Sequence, residues 1–141
     1  MDDELDFDRW ASAVGKIVMS LSRVEGELLM KYETSLSKNR YFKDSFWQRL
    51  SKIRELYNTE CGENSVADSL FEKILKATEY RNLVAHNPIY ADISGGLLKF
   101  EISTQKKDDI SIDLVFLEKE AKRICLLCTE FSVLLRGWGR I

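Results

Sequence analysis

Residues 8–36 read DRWASAVGKIVMSLSRVEGELLMKYETSL, with apolar positions that recur at alternating spacings of four and three. This spacing predicts an amphipathic helix with one apolar stripe. The stripe consists of Trp10, Val14, Ile17, Leu21, Val24 and Leu28. Asp6 and Asp8 suit an N-cap and the positive end of a helix dipole, so we expect the helix to begin there and continue to about Leu36. At about 42 Å, such a helix must bend or be partly covered by a partner.

The composition is that of a folded domain. The chain has 141 residues, of which 45% are hydrophobic and 31% charged, and this predicts one globular domain spanning residues 1–141. With 21 Lys and Arg against 23 Asp and Glu, the net charge of −2 indicates no global attraction to nucleic acid, so an RNA site must be local. The acidic start and the lack of a long apolar run lead us to expect a cytoplasmic protein with no membrane partner.

Three more helices are predicted at residues 43–59, 65–87 and 117–136. Gly62 follows the second helix, and the third ends at Asn87-Pro88 because proline disfavours helical geometry in the residue before it. The predicted buried face of the second helix is Phe46, Leu50, Ile53 and Tyr57. That of the third is Val66, Leu70, Ile74, Ala77 and Val84. The stripe of the last helix is Leu117, Ala121, Ile124, Cys128, Phe131, Leu135 and Trp138.

A change of pattern between the third and last helices predicts a small β-hairpin. Its strands would contain Leu97, Leu98, Phe100 and Ile102, then Ile110, Ile112 and Leu114. Polar residues 103–109 would form a solvated turn, and Gly95-Gly96 a flexible connection. The predicted fold is therefore all-α, an up-and-down helical bundle of about four main helices with a β-hairpin insertion before the last one.

The best candidate site is residues 79–88, EYRNLVAHNP, which hold the single histidine of the chain. On a regular helix Arg81 and His86 lie about 140° apart in azimuth and about 7.5 Å apart along the axis. A long arginine can arch across a turn, and unwinding before Pro88 would let both side chains meet on a phosphate-sized group. The helix C-terminus also favours a protonated imidazole, which suits a general acid. The structural alternative is that His86 caps exposed carbonyls and Arg81 pairs with a surface carboxylate.

The segment Arg81-Asn82-x-x-x-His86 resembles the Arg-x(4–6)-His motif of HEPN domains, all-helical modules named for higher eukaryotes and prokaryotes nucleotide-binding. The likeness includes the polar residue directly after the arginine. It extends over most of the chain, since a long first helix, a second helix, the motif near the end of a third, and a long last helix resemble the family's bundle. The predicted hairpin is not part of the minimal bundle of that family.

The resemblance implies a metal-independent endoribonuclease without a cofactor, with a composite Arg/His site at a homodimer interface. His86 would exchange a proton with the attacking 2′-hydroxyl or the leaving 5′-oxygen, and Arg81 would stabilise the phosphorane-like transition state. Asn82 would orient one of them or the phosphate. Glu25 matches an acidic residue that some HEPN ribonucleases place on the first helix near this pair. Its alternative role is an ordinary flanking charge that pairs with a Lys or Arg of a neighbouring helix.

The resemblance also implies the biological setting, an effector of a toxin–antitoxin or phage-defence module. Its partners would be an RNA substrate and a cognate antitoxin such as a nucleotidyltransferase-like protein. Two alternatives stay open at this point: a noncatalytic helical interaction module, which the acidic composition favours, and a nucleotide-binding module that uses the same cleft.

Two further patterns bear on function. Cys125-x-x-Cys128 with Cys61 and His86 would make four zinc ligands on paper, but Cys128 belongs to the apolar stripe, so we expect no metal site.

One region mixes basic and aromatic residues and is a candidate for RNA contact, although such a mixture more often forms one buried and one solvated helix face. It contains Lys38, Arg40, Lys43, Arg49, Lys52 and Arg54 with Tyr41, Phe42, Phe46 and Trp47.

Overall fold

The computed structural model describes residues 3–86, 89–94, 97–102, 110–111 and 114–138, and side chains over 7–84 and 114–138. The described residues contain five helices, and the predicted helical bundle is confirmed. The helices are α1 (Asp3–Ser35), α2 (Lys38–Lys43), α3 (Phe46–Cys61), α4 (Ser65–His86) and α5 (Leu114–Gly137).

Helix α1 provides one wall of the core. Its predicted stripe is buried, with Val14 alone only partly covered. The helix begins at Asp3, earlier than predicted, so Asp6 and Asp8 lie inside its first two turns and the predicted N-cap there is wrong. Its 33 residues make it about 50 Å long. Within the described residues, neither α1 nor any other helix has an apolar stretch long enough to cross a membrane.

Helices α1 and α5 run parallel to each other. Three contacts follow one another in the same order along both helices: Arg9 with Glu118, Arg23 with Thr129, and Lys31 with the carbonyl of Trp138. The whole predicted stripe of α5, from Leu117 to Trp138, is buried against this core. In a bundle whose helices alternate in direction, the first and last run parallel only when the number of helices is odd. The short helix α2, which the sequence did not predict, is the additional one.

The chain returns along α1 through α2. Lys38 pairs with Glu33, and the hydroxyl of Tyr41 reaches the carbonyl of Glu25 further back along α1. The predicted helix start at Lys43 is wrong, because Lys43 ends α2 and α3 begins at Phe46. The break is set by a capping box, in which Ser45 Oγ accepts from the Gln48 N–H and Gln48 Oε1 accepts from the Ser45 N–H.

The ends of the next helices follow local rules. Helix α3 ends two residues later than predicted, at Cys61, and Gly62 follows with φ 82°, a conformation that favours glycine. Helix α4 begins at Ser65 as predicted, and Asn64 Oδ1 accepts from the Val66 N–H at 2.9 Å. The prediction that Val66 is buried is wrong: its side chain is exposed in the first turn, and Ala67 packs into the core instead.

Among the described residues between α4 and α5 there are three short strands: β1 (Ile89–Ser94), β2 (Leu97–Ile102) and β3 (Ile110–Ser111). They form an antiparallel sheet in the order β1-β2-β3, in which β1 was not predicted. Leu114 was predicted to lie in a strand, but it is the first residue of α5, which begins three residues earlier than expected. Ile112, the predicted turn at 103–109 and the two glycines at 95–96 lie outside the described residues.

Candidate active site

The motif lies in the last turns of α4. Helix α4 ends at His86, which confirms the predicted place of the histidine at a helix terminus, and a regular helix separates the Cα atoms of Arg81 and His86 by about 140° around its axis. The side chain of His86 and the residues Asn87 and Pro88 lie outside the described part of the chain. The convergence of the Arg81 and His86 side chains therefore stays a prediction.

Arg81 and Glu25 form an ion pair between α4 and α1. Arg81 Nη1 lies 3.2 Å from Glu25 Oε1, across 56 residues of sequence. The guanidinium also donates to its neighbour, with Asn82 Oδ1 at 3.4 Å from Nε and 3.3 Å from Nη2. The Arg81 side chain is 16% exposed and that of Glu25 31%, so the pair is partly shielded from water. Three of the four predicted site residues thus share one cluster.

The first residue of α3 supports Arg81. The guanidinium carbon of Arg81 lies 5.8 Å from the centre of the Phe46 ring, within the range of a cation–π contact. The capping box at Ser45 fixes where α3 begins, and it thereby fixes the position of Phe46. Phe46 was predicted to be on a buried face and in a candidate RNA-binding region, but not beside Arg81.

Tyr41 holds α2 against the Glu25 segment of α1. Its hydroxyl donates to the Glu25 carbonyl at 3.2 Å. Burial raises the pKa of Tyr41 above its ordinary value, so the hydroxyl stays protonated and able to donate at neutral pH. The guanidinium carbon of Arg49 lies 3.8 Å from the centre of the Tyr41 ring, and its Nε donates to the Tyr41 carbonyl at 2.8 Å.

A second polar network joins α1 and α3 through Asp44, the residue that follows α2. The Tyr32 hydroxyl donates to Asp44 Oδ2 at 2.8 Å, and Lys52 Nζ lies 2.7 Å from the same oxygen. The hydrogen bond from Lys52 holds the pKa of Asp44 below its ordinary value, while burial raises the pKa of Tyr32. The rings of Tyr32 and Tyr41 meet edge to face at 5.5 Å, so the two networks are continuous.

The cysteines are spread over different environments. Cys61 and Cys125 are exposed, whereas Cys128 lies in the core, where burial raises the pKa of its thiol to about 11. Among the described residues, no three or more His, Cys, Asp or Glu side chains are grouped closely enough to hold a metal ion.

The chemistry open to this cluster is anion binding. A guanidinium presents several donors in a fixed plane and binds phosphate oxygens by charge-assisted hydrogen bonds. The Glu25 carboxylate holds that plane in place and also competes with an incoming anion.

Comparisons of this chain with protein-family models, with curated proteins and with solved structures found no match. The HEPN resemblance therefore depends on the motif and its placement in the bundle.

Proposed function

We propose that this protein is a metal-independent endoribonuclease of the HEPN type. The observation that supports the proposal best is the contact between Glu25 and Arg81, which agrees with the acidic first-helix residue that the resemblance implies. The pair lies about one and a half turns before His86, the last residue of α4. In this proposal the protein is a cytoplasmic effector of a toxin–antitoxin or phage-defence module, and the small sheet is an addition to the minimal bundle.

The proposed reaction is an internal transesterification of RNA. The 2′-hydroxyl oxygen attacks the adjacent phosphorus, the bond from phosphorus to the 5′-oxygen breaks, and the products carry a 2′,3′-cyclic phosphate and a 5′-hydroxyl. The 2′-hydroxyl loses a proton and the 5′-oxygen gains one; His86 serves one of these transfers and the His86 of a second copy the other, while Arg81 stabilises the charge that develops on the phosphorus oxygens. Asn82 and Glu25 orient the Arg81 guanidinium.

A homodimer completes the proposed site. One histidine per chain does not easily serve as both acid and base, and Arg81 and His86 are separated around α4 by about 140°. Two copies related by a symmetry axis would bring two motifs to one cleft. Sedimentation over a concentration series tests this arrangement: we expect twice the chain mass of 16.4 kDa. If the protein stays monomeric at tens of micromolar, where an interface of standard size associates, the proposal of a site shared by two copies is refuted.

Cleavage of single-stranded RNA in EDTA tests the activity. We expect the wild type to cleave and Arg81→Ala and His86→Ala each to lose cleavage by orders of magnitude. Both variants should keep their fold, because single changes near the C-terminal end of a helix cost at most about 2 kcal/mol. Equal trace activity in the wild type and both variants would refute the proposal.

One observation favours a second candidate function, a noncatalytic interaction or nucleotide-binding module. Arg81 already has three partners, the Glu25 carboxylate, the Asn82 amide and the Phe46 ring, and this is also what a structural clasp between α1 and α4 needs. If Arg81→Ala and His86→Ala melt far below the wild type and RNA is not cleaved, the clasp becomes the better interpretation.

A further inference from the structure

One segment of this acidic chain is rich in basic residues. Residues 37–54 hold six of the 21 Lys and Arg side chains and one of the 23 acidic ones, which gives the segment a charge of +5 in a chain of charge −2. The segment comprises α2 and the first half of α3, the elements that contact Glu25 and Arg81. The part of the chain beside the candidate site is thus rich in basic side chains.

Half of these cations are neutralised within the fold. Lys38 pairs with Glu33, and Lys52 with Asp44. Arg54 bridges to two acidic residues of α4 at 3.2 and 2.8 Å. Each of these three cations already has an acidic partner within the fold, so it contributes less to an external ligand.

The other three cations have no acidic partner among the described residues. Within the described residues, Arg40, Lys43 and Arg49 form no ion pair. Arg49 contacts the aromatic ring and the backbone carbonyl of Tyr41, neither of which cancels its charge. Arg40 and Lys43 lie exposed on α2.

Two aromatic rings are exposed at the same corner. The Phe42 side chain is 65% exposed and that of Trp47 is 60% exposed, unlike the buried Trp10 and Trp138. The Phe42 ring meets Tyr41 edge to face at 5.2 Å, and Tyr41 contacts Glu25. Trp47 directly follows Phe46, which contacts Arg81. Each exposed ring thus directly follows, in the sequence, a residue that contacts Glu25 or Arg81.

We propose that the α2–α3 corner, defined by Arg40, Phe42, Lys43 and Trp47, binds unpaired nucleotides of single-stranded RNA. Exposed rings offer faces on which bases stack, and cations interleaved with them track the backbone. Bases must be unstacked from a duplex to use such faces, so the corner selects single strands. The inference rests on the proposed function in assigning the bound strand as the substrate that reaches Arg81.

Trp47 provides a direct probe because the other two tryptophans are buried at 3% and 7% exposure. The ligand is an oligouridine of about 12 nucleotides, within the span of single-strand binding sites, with 2′-O-methyl groups that block cleavage. We expect binding to quench the tryptophan fluorescence of the wild type. In Trp47→Phe the quenching should disappear while the affinity, measured by anisotropy of a labelled oligonucleotide, is kept.

Truncating the rings tests the stacking. Trp47→Ala and Phe42→Ala should each weaken binding at least about fivefold, the lower end of base–aromatic stacking. The matched control is Leu126→Ala, which removes an equally exposed apolar side chain from α5 and should leave the affinity unchanged. Melting curves should show all three variants folded, since these side chains are mostly exposed.

Neutralising the two exposed cations of α2 tests whether they bind the RNA backbone. In the double variant Arg40→Gln/Lys43→Gln, the slope of log affinity against log salt concentration should fall by about 1.4, or about 0.7 for each phosphate that the variant no longer neutralises. Lys73→Gln/Lys76→Gln removes two exposed cations from α4 and should leave the slope unchanged.

The outcomes separate this inference from the proposed function. If the wild type cleaves RNA but the corner variants bind and cleave normally, the corner assignment is overturned and the nuclease remains. If the corner binds the oligonucleotide but unmodified RNA is never cleaved, the nuclease is overturned and the corner remains. If RNA leaves Trp47 fluorescence unchanged while Trp47→Ala dissociates a dimer, the corner is a contact between copies and the inference is wrong.

Discussion

Glu25→Gln is the substitution that best separates a site residue from a structural charge. The variant removes the negative charge and keeps the size and hydrogen-bonding shape of the side chain. Its partner Arg81 is 16% exposed and Glu25 is 31% exposed, so the pair is neither a solvated surface contact nor a fully buried one. Exposed pairs contribute up to about 1 kcal/mol, and hydrogen bonds to charged groups about 1.5–3 kcal/mol before allowance for solvent.

We therefore expect Glu25→Gln to cost about 1 kcal/mol, which lowers Tm by about 3 °C for a chain of this length. A double-mutant cycle with Arg81→Met, which keeps the apolar stem of the arginine, should give a coupling energy of about 0.5–1 kcal/mol. Thermal and urea unfolding measure both quantities. The cleavage rate should fall by at least about tenfold, because a misplaced guanidinium no longer meets the transition state.

Glu27→Gln is the matched control. Glu27 lies on the same helix, is 5% exposed and accepts from Arg136 Nε of α5 at 2.8 Å. It should lose at least as much stability as Glu25→Gln and keep its cleavage rate. If the two variants lose stability and keep cleavage alike, Glu25 is an ordinary bundle charge and the reasoning is refuted.

Three further outcomes are expected. Phe131→Ala should cost about 3–5 kcal/mol in urea unfolding because its ring is fully buried, whereas Val133→Ala, 66% exposed, should stay within about 0.5 kcal/mol. Iodoacetamide at pH 8 should alkylate Cys125 in the folded protein but Cys128 only after denaturation, because burial raises the pKa of Cys128 to about 11. Because the pKa of Asp44 is lower in the folded protein than the value of about 4 in the unfolded chain, its ionised carboxylate stabilises the fold above that pH. This stabilisation is lost as the pH falls through the folded pKa. Between about pH 5 and pH 2, Asp44→Asn should therefore lose less stability than the wild type does.

The long helices were predictable from sequence because each is amphipathic over many turns. The stripes that begin at Trp10 and at Leu117 repeat often enough to determine which face is buried. Val66 shows the limit of the same rule. In the first turn of a helix, a single apolar residue does not show which side of the helix will be buried. In α4 the buried side carries Ala67, so the neighbouring Val66 is exposed.

The short helix α2 could not be predicted in this way, since six residues contain fewer than two turns. The start of α3 could have been predicted, because Ser45 and Gln48 have the spacing of a capping box. The resemblance, rather than periodicity, suggested Glu25, since its contact with Arg81 joins residues 56 positions apart. The roles of Tyr41 and Phe46 depend on how α2 and α3 pack on that contact, and no local pattern indicates it.

The most direct test of the nuclease proposal is the chemistry of the cleaved ends. RNA is incubated with the wild-type protein in EDTA, and the fragments are analysed by mass spectrometry. We expect a 2′,3′-cyclic phosphate on one fragment, a 5′-hydroxyl on the other, and no cut at a position whose nucleotide is 2′-deoxy. Cleavage that persists at the 2′-deoxy position, or no cleavage by a folded wild-type protein, would contradict the proposal that Arg81 and His86 catalyse attack by the 2′-hydroxyl.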